Sequence, residues 1–432
     1  MSHTISQRST LAVAASARPW RFAPTPDFDP VNNPAGLVAF SNAENASLKH
    51  RHISFHKLIT EDAFKFLQQK FTLEKYHLSY QAEEVDGPRL CRAFANHLNE
   101  YLEPHRLITG DMLHIGAAAT SLHDLLAWSL ADAGEGFLMG APVYGRFEID
   151  FTQKSQVKPV YISLDPETCL AAEHVDKFEE ALAQAESEGT KIRAVVIVNP
   201  NNPLGKCYPK ETLIRLMQFC QRYQIHLISD EIYACSVFDS GEEDAVPFTS
   251  VLSIDNTNLI DDDLLHVIYG VSKDLGIPGL CIGTVITRSK LLHKTLASTI
   301  RFHGIGGPSL AMAIAVLEDD AWRRSYIDSA RVKLAKAYRF ATQGLRDMGI
   351  KYVRGGNAGF FVYLDLSPYL PKELDGEANA DFALARKLVN AGVFLHPQEE
   401  HAPQPGWFRM VYTHDEEVVK EGLRRIRSVI EG

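Results

Sequence analysis

A single lysine interrupts an apolar stretch of this sequence. In YGVSKDLGIPG (residues 269–279), Lys273 comes directly after a run typical of a buried strand and just before glycine and proline. A partly buried lysine amine loses its charge readily and can then attack a carbonyl carbon to form a Schiff base. The residue and its position therefore predict covalent chemistry with an aldehyde, a group that proteins obtain from a cofactor.

Other apolar runs end in polar residues in the same way. The runs RAVVIVNP (193–200), IHLISDEIY (225–233) and LLHVIYG (264–270) are typical of strands buried on both faces. The segment 209–224 begins with proline, at a first helical position, and spaces its apolar residues as a helix does. Strand, helix and strand in this order predict right-handed crossovers and a mostly parallel sheet.

The ends of these strands carry the side chains that pyridoxal phosphate requires. Ligands of parallel sheets bind beyond the carboxyl ends of the strands, where Asn202, Asp230, Tyr233 and Lys273 are expected to meet. Asp230 can keep the ring nitrogen protonated, because an ion pair in a dry site is strongly favoured. Asn202 and Tyr233 can donate hydrogen bonds to the ring oxygen, and Tyr144 in APVYGRF can stack on the ring.

A phosphate site is predicted in GAAATSLHDLL (residues 116–126). The small residues let the backbone approach a ligand closely, and the N-terminus of the helix that follows favours anions. We assign Ala118, Ala119 and Thr120 to the cofactor, together with Ser272 beside the lysine.

This constellation resembles a known family. The chain is similar to the fold-type I pyridoxal phosphate enzymes of aminotransferase class I/II, and within them to the 1-aminocyclopropane-1-carboxylate (ACC) synthase-like branch, especially its fungal members. The similarity extends from residue 32 to residue 417 and rests on AEN, NPNNPLG, SDEIY, SKDLGIPG and PGWFR. It implies an α/β fold like that of aspartate aminotransferase, with helices on both faces of a mostly parallel sheet and a smaller α+β domain.

The resemblance also implies a role for each site residue. Lys273 would be the Schiff-base lysine and Asp230 the partner of the pyridine nitrogen, both catalytic together with Tyr233. Asn202 and Tyr233 would hold the ring oxygen, Tyr144 would stack, and Thr120 would bind the phosphate.

Three further residues take roles from the resemblance alone. Tyr80 would reach the phosphate from the other subunit, so a homodimer with shared active sites is expected. Arg409 would bind the α-carboxylate of an amino-acid substrate, a bidentate task suited to a guanidinium group. Glu44 would face the substrate.

The sequence departs from the family at three positions. Family members usually carry arginine at Cys281 and many carry serine at Gly270, and both residues normally touch the phosphate. Losing a charge-assisted pair costs about 1.5–3 kcal/mol, so either Arg301 or His303 substitutes or the cofactor binds weakly. Cys281 itself is expected to be a packing residue rather than a nucleophile. Plant synthases carry arginine at Ile149, which puts an S-adenosylmethionine pocket in doubt.

The fungal members include carbon–sulfur lyases that cleave cysteine-derived thioethers in pathways to sulfur-bridged diketopiperazines. We therefore expect a lyase of secondary metabolism that cleaves an S-substituted cysteine-type amino acid. An aminotransferase is the first alternative, and an ACC synthase acting on S-adenosylmethionine is the next. A cofactor-poor binding or scaffolding protein is a third reading, which the retained Lys273, Asp230 and Arg409 disfavour.

Composition limits the remaining questions. A chain of 432 residues favours more than one domain, and we expect an N-terminal arm with part of the small domain (1–55), a large cofactor domain (56–315) and a C-terminal small domain (316–432). We favour an arm over a transit peptide for the basic N-terminus. Net charge −10 and the lack of a long apolar stretch disfavour nucleic acid and membrane partners. Six unpaired-looking cysteines indicate a cytoplasmic protein without disulfides or a metal site.

Overall fold

The computed structural model describes residues 6–17, 24, 27–41, 60–397 and 401–432. The strands are β1 Val38–Ala39, β2 Leu113–Ala117, β3 Gly136–Ala141, β4 Lys158–Ser163, β5 Ile192–Val198, β6 His226–Asp230, β7 Leu265–Gly270, β8 Ile282–Thr287, β9 Lys351–Tyr352, β10 Phe361–Asp365, β11 Val393–Phe394, β12 His396–Pro397 and β13 Trp407–Val411. The helices are α1 Gln7–Ser16, α2 Thr60–Lys70, α3 Ala82–Tyr101, α4 Ala118–Leu130, α5 Phe147–Thr152, α6 Val175–Ser187, α7 Lys210–Tyr223, α8 Val271–Asp274, α9 Lys290–Thr299, α10 Gly307–Glu318, α11 Asp320–Asp347, α12 Ala380–Asn390 and α13 Glu416–Ile430.

The large sheet has seven strands in the order β2-β8-β7-β6-β5-β3-β4. Strand β8 runs antiparallel to both of its neighbours, and the other pairings are parallel. Strands β7 and β8 are buried along their whole length, because helices cover both faces of the sheet. The mostly parallel α/β architecture predicted from the sequence is therefore confirmed.

The predicted strands and helices exist with small shifts at their ends. Strand β6 ends at Asp230 rather than continuing to Tyr233, because the Asp230 carboxylate accepts a hydrogen bond from the Ile232 backbone N–H at 3.1 Å and closes a turn. Pro209 is the N-cap of α7 with an extended backbone, whereas we had placed it inside the helix. These shifts leave Asp230 at the end of its strand.

A four-stranded antiparallel sheet, β12-β13-β10-β9, forms a second layer. Val419, Leu423 and Ile426 on helix α13 are buried in the hydrophobic core. The N-terminal segment 27–41 joins this part of the chain, because β1 pairs with β11 and Arg425 donates to the carbonyls of Pro34 and Gly36. The domain limits that we gave above stay a prediction.

Helix length and composition bear on membrane insertion. Within the described residues no single helix is both long and apolar enough to cross a bilayer. Residues Lys290–His303 and Gly307–Glu318 meet these criteria only as a pair bent by 118°.

Candidate active site

One cavity of about 450 Å³ opens at the carboxyl ends of the parallel strands. Ten of the twelve site residues predicted from the sequence line it: Ala118, Ala119, Thr120, Tyr144, Asn202, Asp230, Tyr233, Ser272, Lys273 and Arg409. Their positions in the chain span almost 300 residues, so the sheet brings together side chains that the sequence keeps far apart.

The floor of the cavity comes from neighbouring strands β5 and β6. Val198 and Asp230 are register partners at the ends of these strands, and the Asn199 backbone N–H donates to the Asp230 carbonyl at 2.8 Å. Asp230 is 4% exposed, so its carboxylate faces the cavity from within the protein. Lys273, half-buried in the short helix that follows β7, lines the same cavity.

Arg409 enters the cavity from β13 and holds Asn202 in place. Its Nη1 donates to Asn202 Oδ1 at 2.8 Å, and its Nη2 donates to the Ser41 carbonyl at 2.8 Å. Because the Asn202 carbonyl oxygen already accepts this bond, its NH₂ group is the end left to donate. This orientation agrees with a donor role toward a ring oxygen. Through its two hydrogen bonds, Arg409 on β13 also connects the small sheet with Asn202 after β5 and with the N-terminal segment.

A buried histidine at the cavity floor lies between two carboxylates. His123 Nε2 lies 3.1 Å from Asp230 Oδ2, and His123 Nδ1 lies 3.1 Å from Asp150 Oδ2. Burial lowers the pKa of His123, but hydrogen bonds from its ring to Asp150 and Asp230 outweigh this effect and raise the pKa to about 9.

The predicted phosphate site is the start of α4. Ala118 adopts a left-handed backbone with φ of 62°, and its N–H donates to the Cys281 carbonyl at 2.9 Å. A Cβ at Gly283 would lie 3.3 Å from the Ala118 carbonyl carbon and 3.0 Å from a Leu122 methyl carbon, so glycine allows this close approach. The N-terminal residues of α4 thereby face the cavity, as an anion site requires.

The departures from the family pattern have structural counterparts. Cys281 is exposed, so our expectation of a packing residue is wrong: it occupies a left-handed turn with φ of 52° before β8. A Cβ at Gly270 would lie 2.9 Å from the Ile282 carbonyl oxygen, so the backbone of β8 leaves no room for a side chain.

Neither proposed substitute cation is among the residues that line the described cavity. Arg301 is exposed beside Phe302, and His303 Nδ1 bonds Ser121 Oγ at 2.7 Å. Burial lowers the pKa of His303, which favours the neutral ring at neutral pH. Of the two readings given above, this geometry favours the one in which neither cation substitutes and the cofactor binds weakly.

Two predicted residues lie outside this cavity. Tyr80 is fully exposed and does not line it, so any role at the site requires a second chain. Glu44 lies outside the described residues.

The cavity also holds residues that we did not predict: Ser41, His123, Arg146, Asp150, Val198 and Ile232. A signal for two of them was present in the sequence. His123 follows Thr120 by three residues on one helix, and Asp150 follows Arg146 by four, so each pair shares a helix face. Ser41 and Arg146 gave no such signal, because their positions depend on how distant segments pack.

The residues present fit pyridoxal phosphate. The cavity volume lies in the range of small-molecule sites. Its donor set combines an amine, a buried carboxylate, an amide, a phenol and a helix N-terminus, each suited to one part of the cofactor. The Ser41 hydroxyl, buried at the same cavity, has no hydrogen-bond partner among the described residues and is available to a ligand.

Comparison with known proteins gives a consistent result. The family model described as aminotransferase class I and II matches residues 88–426. The ACC synthase-like protein 1 of Bos taurus is 31% identical over 414 residues, covering 94% of this chain and 78% of the relative. The ACC synthase of Nicotiana tabacum is 26% identical, covering 95% of this chain and 82% of the relative. An aspartate aminotransferase double mutant from Thermus thermophilus superposes with a TM-score of 0.73 at 20% identity, over 99% of this chain and 100% of that one.

Proposed function

Because the chain belongs to the class I and II aminotransferase family, in its ACC synthase-like branch, whose cofactor is pyridoxal 5'-phosphate, we propose that it is a carbon–sulfur lyase. The substrate is an S-substituted cysteine or a related amino acid. The balanced reaction converts R–S–CH₂–CH(NH₃⁺)–COO⁻ and water into R–SH, pyruvate and NH₄⁺. The bond from Cβ to sulfur breaks, and the leaving sulfur takes up the proton.

The cofactor supplies an aldehyde that condenses with amines and a protonated ring that withdraws electrons from the substrate Cα. Lys273 would hold the aldehyde carbon, and Asp230 would hold the ring nitrogen in its protonated form. Tyr144 would pack on the ring, Asn202 and Tyr233 would donate to its oxygen, and the start of α4 would hold the phosphate.

Two side chains then act on the substrate, one as the carboxylate-binding group and the other as the general base. Arg409 binds the α-carboxylate, and its two contacts to Asn202 and the Ser41 carbonyl fix the guanidinium plane for a bidentate grip. This grip fixes Cα relative to Lys273, whose amine takes the Cα proton as the general base.

The observation that supports lysis over cyclopropane synthesis is the cavity wall at residue 149. Ile149, half-buried on α5, lines the cavity at the position where plant synthases carry arginine. An apolar side chain there suits the hydrocarbon part of a thioether. It offers no hydrogen-bond donor to the nucleoside of S-adenosylmethionine.

Product analysis tests this proposal directly. Purified holoenzyme is incubated with S-benzylcysteine, with S-adenosylmethionine, and with alanine plus 2-oxoglutarate, and the products are identified by mass spectrometry. We expect benzyl mercaptan, pyruvate and ammonium in equal amounts from S-benzylcysteine. The matched variant Arg409→Lys should raise KM for this substrate about 10-fold or more, because lysine cannot make the bidentate contact.

Each alternative leaves a different product. An aminotransferase keeps sulfur on the carbon skeleton and forms a 2-oxo acid together with glutamate. An ACC synthase forms the cyclopropane amino acid from S-adenosylmethionine. Either of these products without thiol release from a panel of cysteine conjugates would overturn the lyase proposal.

A further inference from the structure

Three buried titratable side chains lie in a row at the cavity floor: Asp150 on α5, His123 on α4 and Asp230 at the end of β6. Their side chains are 5%, 3% and 6% exposed, respectively, so water does not screen them. The rings of Phe147 and Phe151 pack against the imidazole in T-shaped contacts, with ring centroids 5.0 and 5.8 Å away.

The hydrogen bonds fix the protonation state of the histidine. Both ring nitrogens of His123 lie 3.1 Å from a carboxylate oxygen. An ionised carboxylate only accepts hydrogen bonds, whereas a neutral imidazole has a single N–H to donate. With both carboxylates ionised, only the imidazolium can donate to both at once, and this places one positive charge between two negative ones.

We propose that His123 is a positioning residue that holds the Asp230 carboxylate ionised toward the cofactor ring, and that Asp150 holds His123 in its imidazolium form. The inference rests on the proposed role of Asp230 opposite the ring nitrogen. Asp230 Oδ1 accepts from the Ile232 N–H and Oδ2 faces His123, so both oxygens have a donor on the protein side.

The charge count explains why all three residues are needed. With His123 charged, the row carries one net negative charge, which matches one protonated ring nitrogen. Without His123, two carboxylates share a dry pocket with no cation between them, and one of them must take up a proton. Asp230 then no longer provides a full negative charge to the ring.

Other charged groups near the row are engaged elsewhere or lie across the cavity. On α4 itself, Asp124 pairs with Lys154 at 3.0 Å, and on α9 His293 bonds the Thr287 carbonyl at 2.9 Å. Lys273, Arg146 and Arg409 line the cavity in front of the row. The electrostatic partners that determine the His123 charge are thus Asp150 and Asp230.

One single variant and one double variant test the proposal through the cofactor spectrum and the cofactor affinity. The holoenzyme of His123→Asn should show its visible band shifting with pH near neutrality, where the parent is constant. It should also bind pyridoxal phosphate at least 10-fold more weakly. The double variant His123→Asn/Asp150→Asn removes one positive and one negative charge together. It should recover most of the lost affinity and the constant spectrum. A role in packing alone predicts no such recovery, so a double variant as impaired as the single one overturns the proposal.

A second measurement does not depend on activity or on the lyase reaction. NMR of the holoenzyme labelled with ¹³C,¹⁵N-histidine should show His123, assigned by comparison with His123→Asn, as imidazolium at pH 7 and 8. Its signals should move to those of the neutral ring only near pH 9. Chemical shifts of a neutral His123 ring at pH 7 would overturn the proposal even if the enzyme releases thiol. If the enzyme releases no thiol, this test is unaffected.

Discussion

At the scale of single residues, the amine of Lys273 is the group on which the proposed chemistry depends. The variant Lys273→Ala should lose the visible absorption band of the bound cofactor, because no covalent link can form. Thiol release should fall about 10³-fold or more, since both the link and the general base are lost. Absorption and product assays measure both effects. The exposed Lys290→Ala is the matched control and should behave as the parent. A band that persists in Lys273→Ala would place the cofactor on another amine.

The exposed Cys281 leads to a second prediction at this scale. Arginine at this position should strengthen cofactor binding about 10- to 100-fold, because a charge-assisted hydrogen bond to phosphate contributes about 1.5–3 kcal/mol. Residue 281 is adjacent to the start of α4 through the bond from the Ala118 N–H to its carbonyl. Its left-handed backbone already accommodates a side chain. Titration of apoenzyme with pyridoxal phosphate measures the gain.

Gly270→Ser provides the contrasting control for Cys281→Arg. A serine Cβ would lie 2.9 Å from the Ile282 carbonyl oxygen, so this variant should lower the melting temperature without improving affinity. Unchanged affinity in Cys281→Arg would mean that the phosphate lies elsewhere or already has its cation.

At the scale of elements, a row of histidines crosses the opposite edge of the large sheet. His226 on β6 contacts His266 on β7 at 3.0 Å, and His266 contacts Thr287 on β8 at 2.9 Å. His293 on α9 bonds the Thr287 carbonyl and also His114 on β2. The row thus links four strands at the ends remote from the cavity.

Acidification should destabilise the fold through these histidines at the strand ends remote from the cavity. Burial lowers the pKa of His114 and of His226 to about 4, and it also lowers the pKa of His266 well below its ordinary value. These rings bind protons in the unfolded chain near pH 6.5 but not in the folded one. Their contribution to stability is therefore complete above pH 6.5 and is lost as pH falls toward 4. Thermal melting between pH 7.5 and 4.5 should show this loss. His226→Gln should reduce the dependence of the melting temperature on pH. An unchanged dependence would contradict the assignment of this acid sensitivity to the buried histidines.

The elements also show how far the sequence determines the site. Asp230, Asn202 and Lys273 could be predicted because each follows a continuous apolar run, and parallel strands place such residues at one edge. The end of β6 was missed by three residues, since the Asp230 side chain closes the turn locally. His123 and Asp150 each share a helix face with another cavity residue, but their contact with each other depends on the packing of α4 against α5, and no local pattern encodes that distance.

At the scale of the whole molecule, the cavity joins three separate parts of the chain. Ser41 belongs to the N-terminal segment, Asp230 to the large sheet and Arg409 to the small sheet. Arg409 donates to the Ser41 carbonyl and to Asn202 together, so movement of either part would displace its guanidinium group. If Arg409 binds the substrate carboxylate as proposed, substrate binding and the relative position of these parts are coupled through this guanidinium group.

A second copy of the chain would complete the site if Tyr80 has its expected role. Tyr80 is fully exposed, and its neighbours Leu78 and Val85 are 73% and 56% exposed, an apolar group suited to burial in an interface. We predict a homodimer in which Tyr80 of each chain serves the cavity of the other. Tyr80→Asp and Lys273→Ala should each be inactive alone. When the two variants are co-refolded, about half of the dimers contain one chain of each variant. Each mixed dimer has one intact site and one site with both substitutions, so activity should return to about 25% of the parent. Sedimentation measures the assembly. Dimers that form without regaining activity would mean that each site takes both residues from one chain, and this would overturn the prediction.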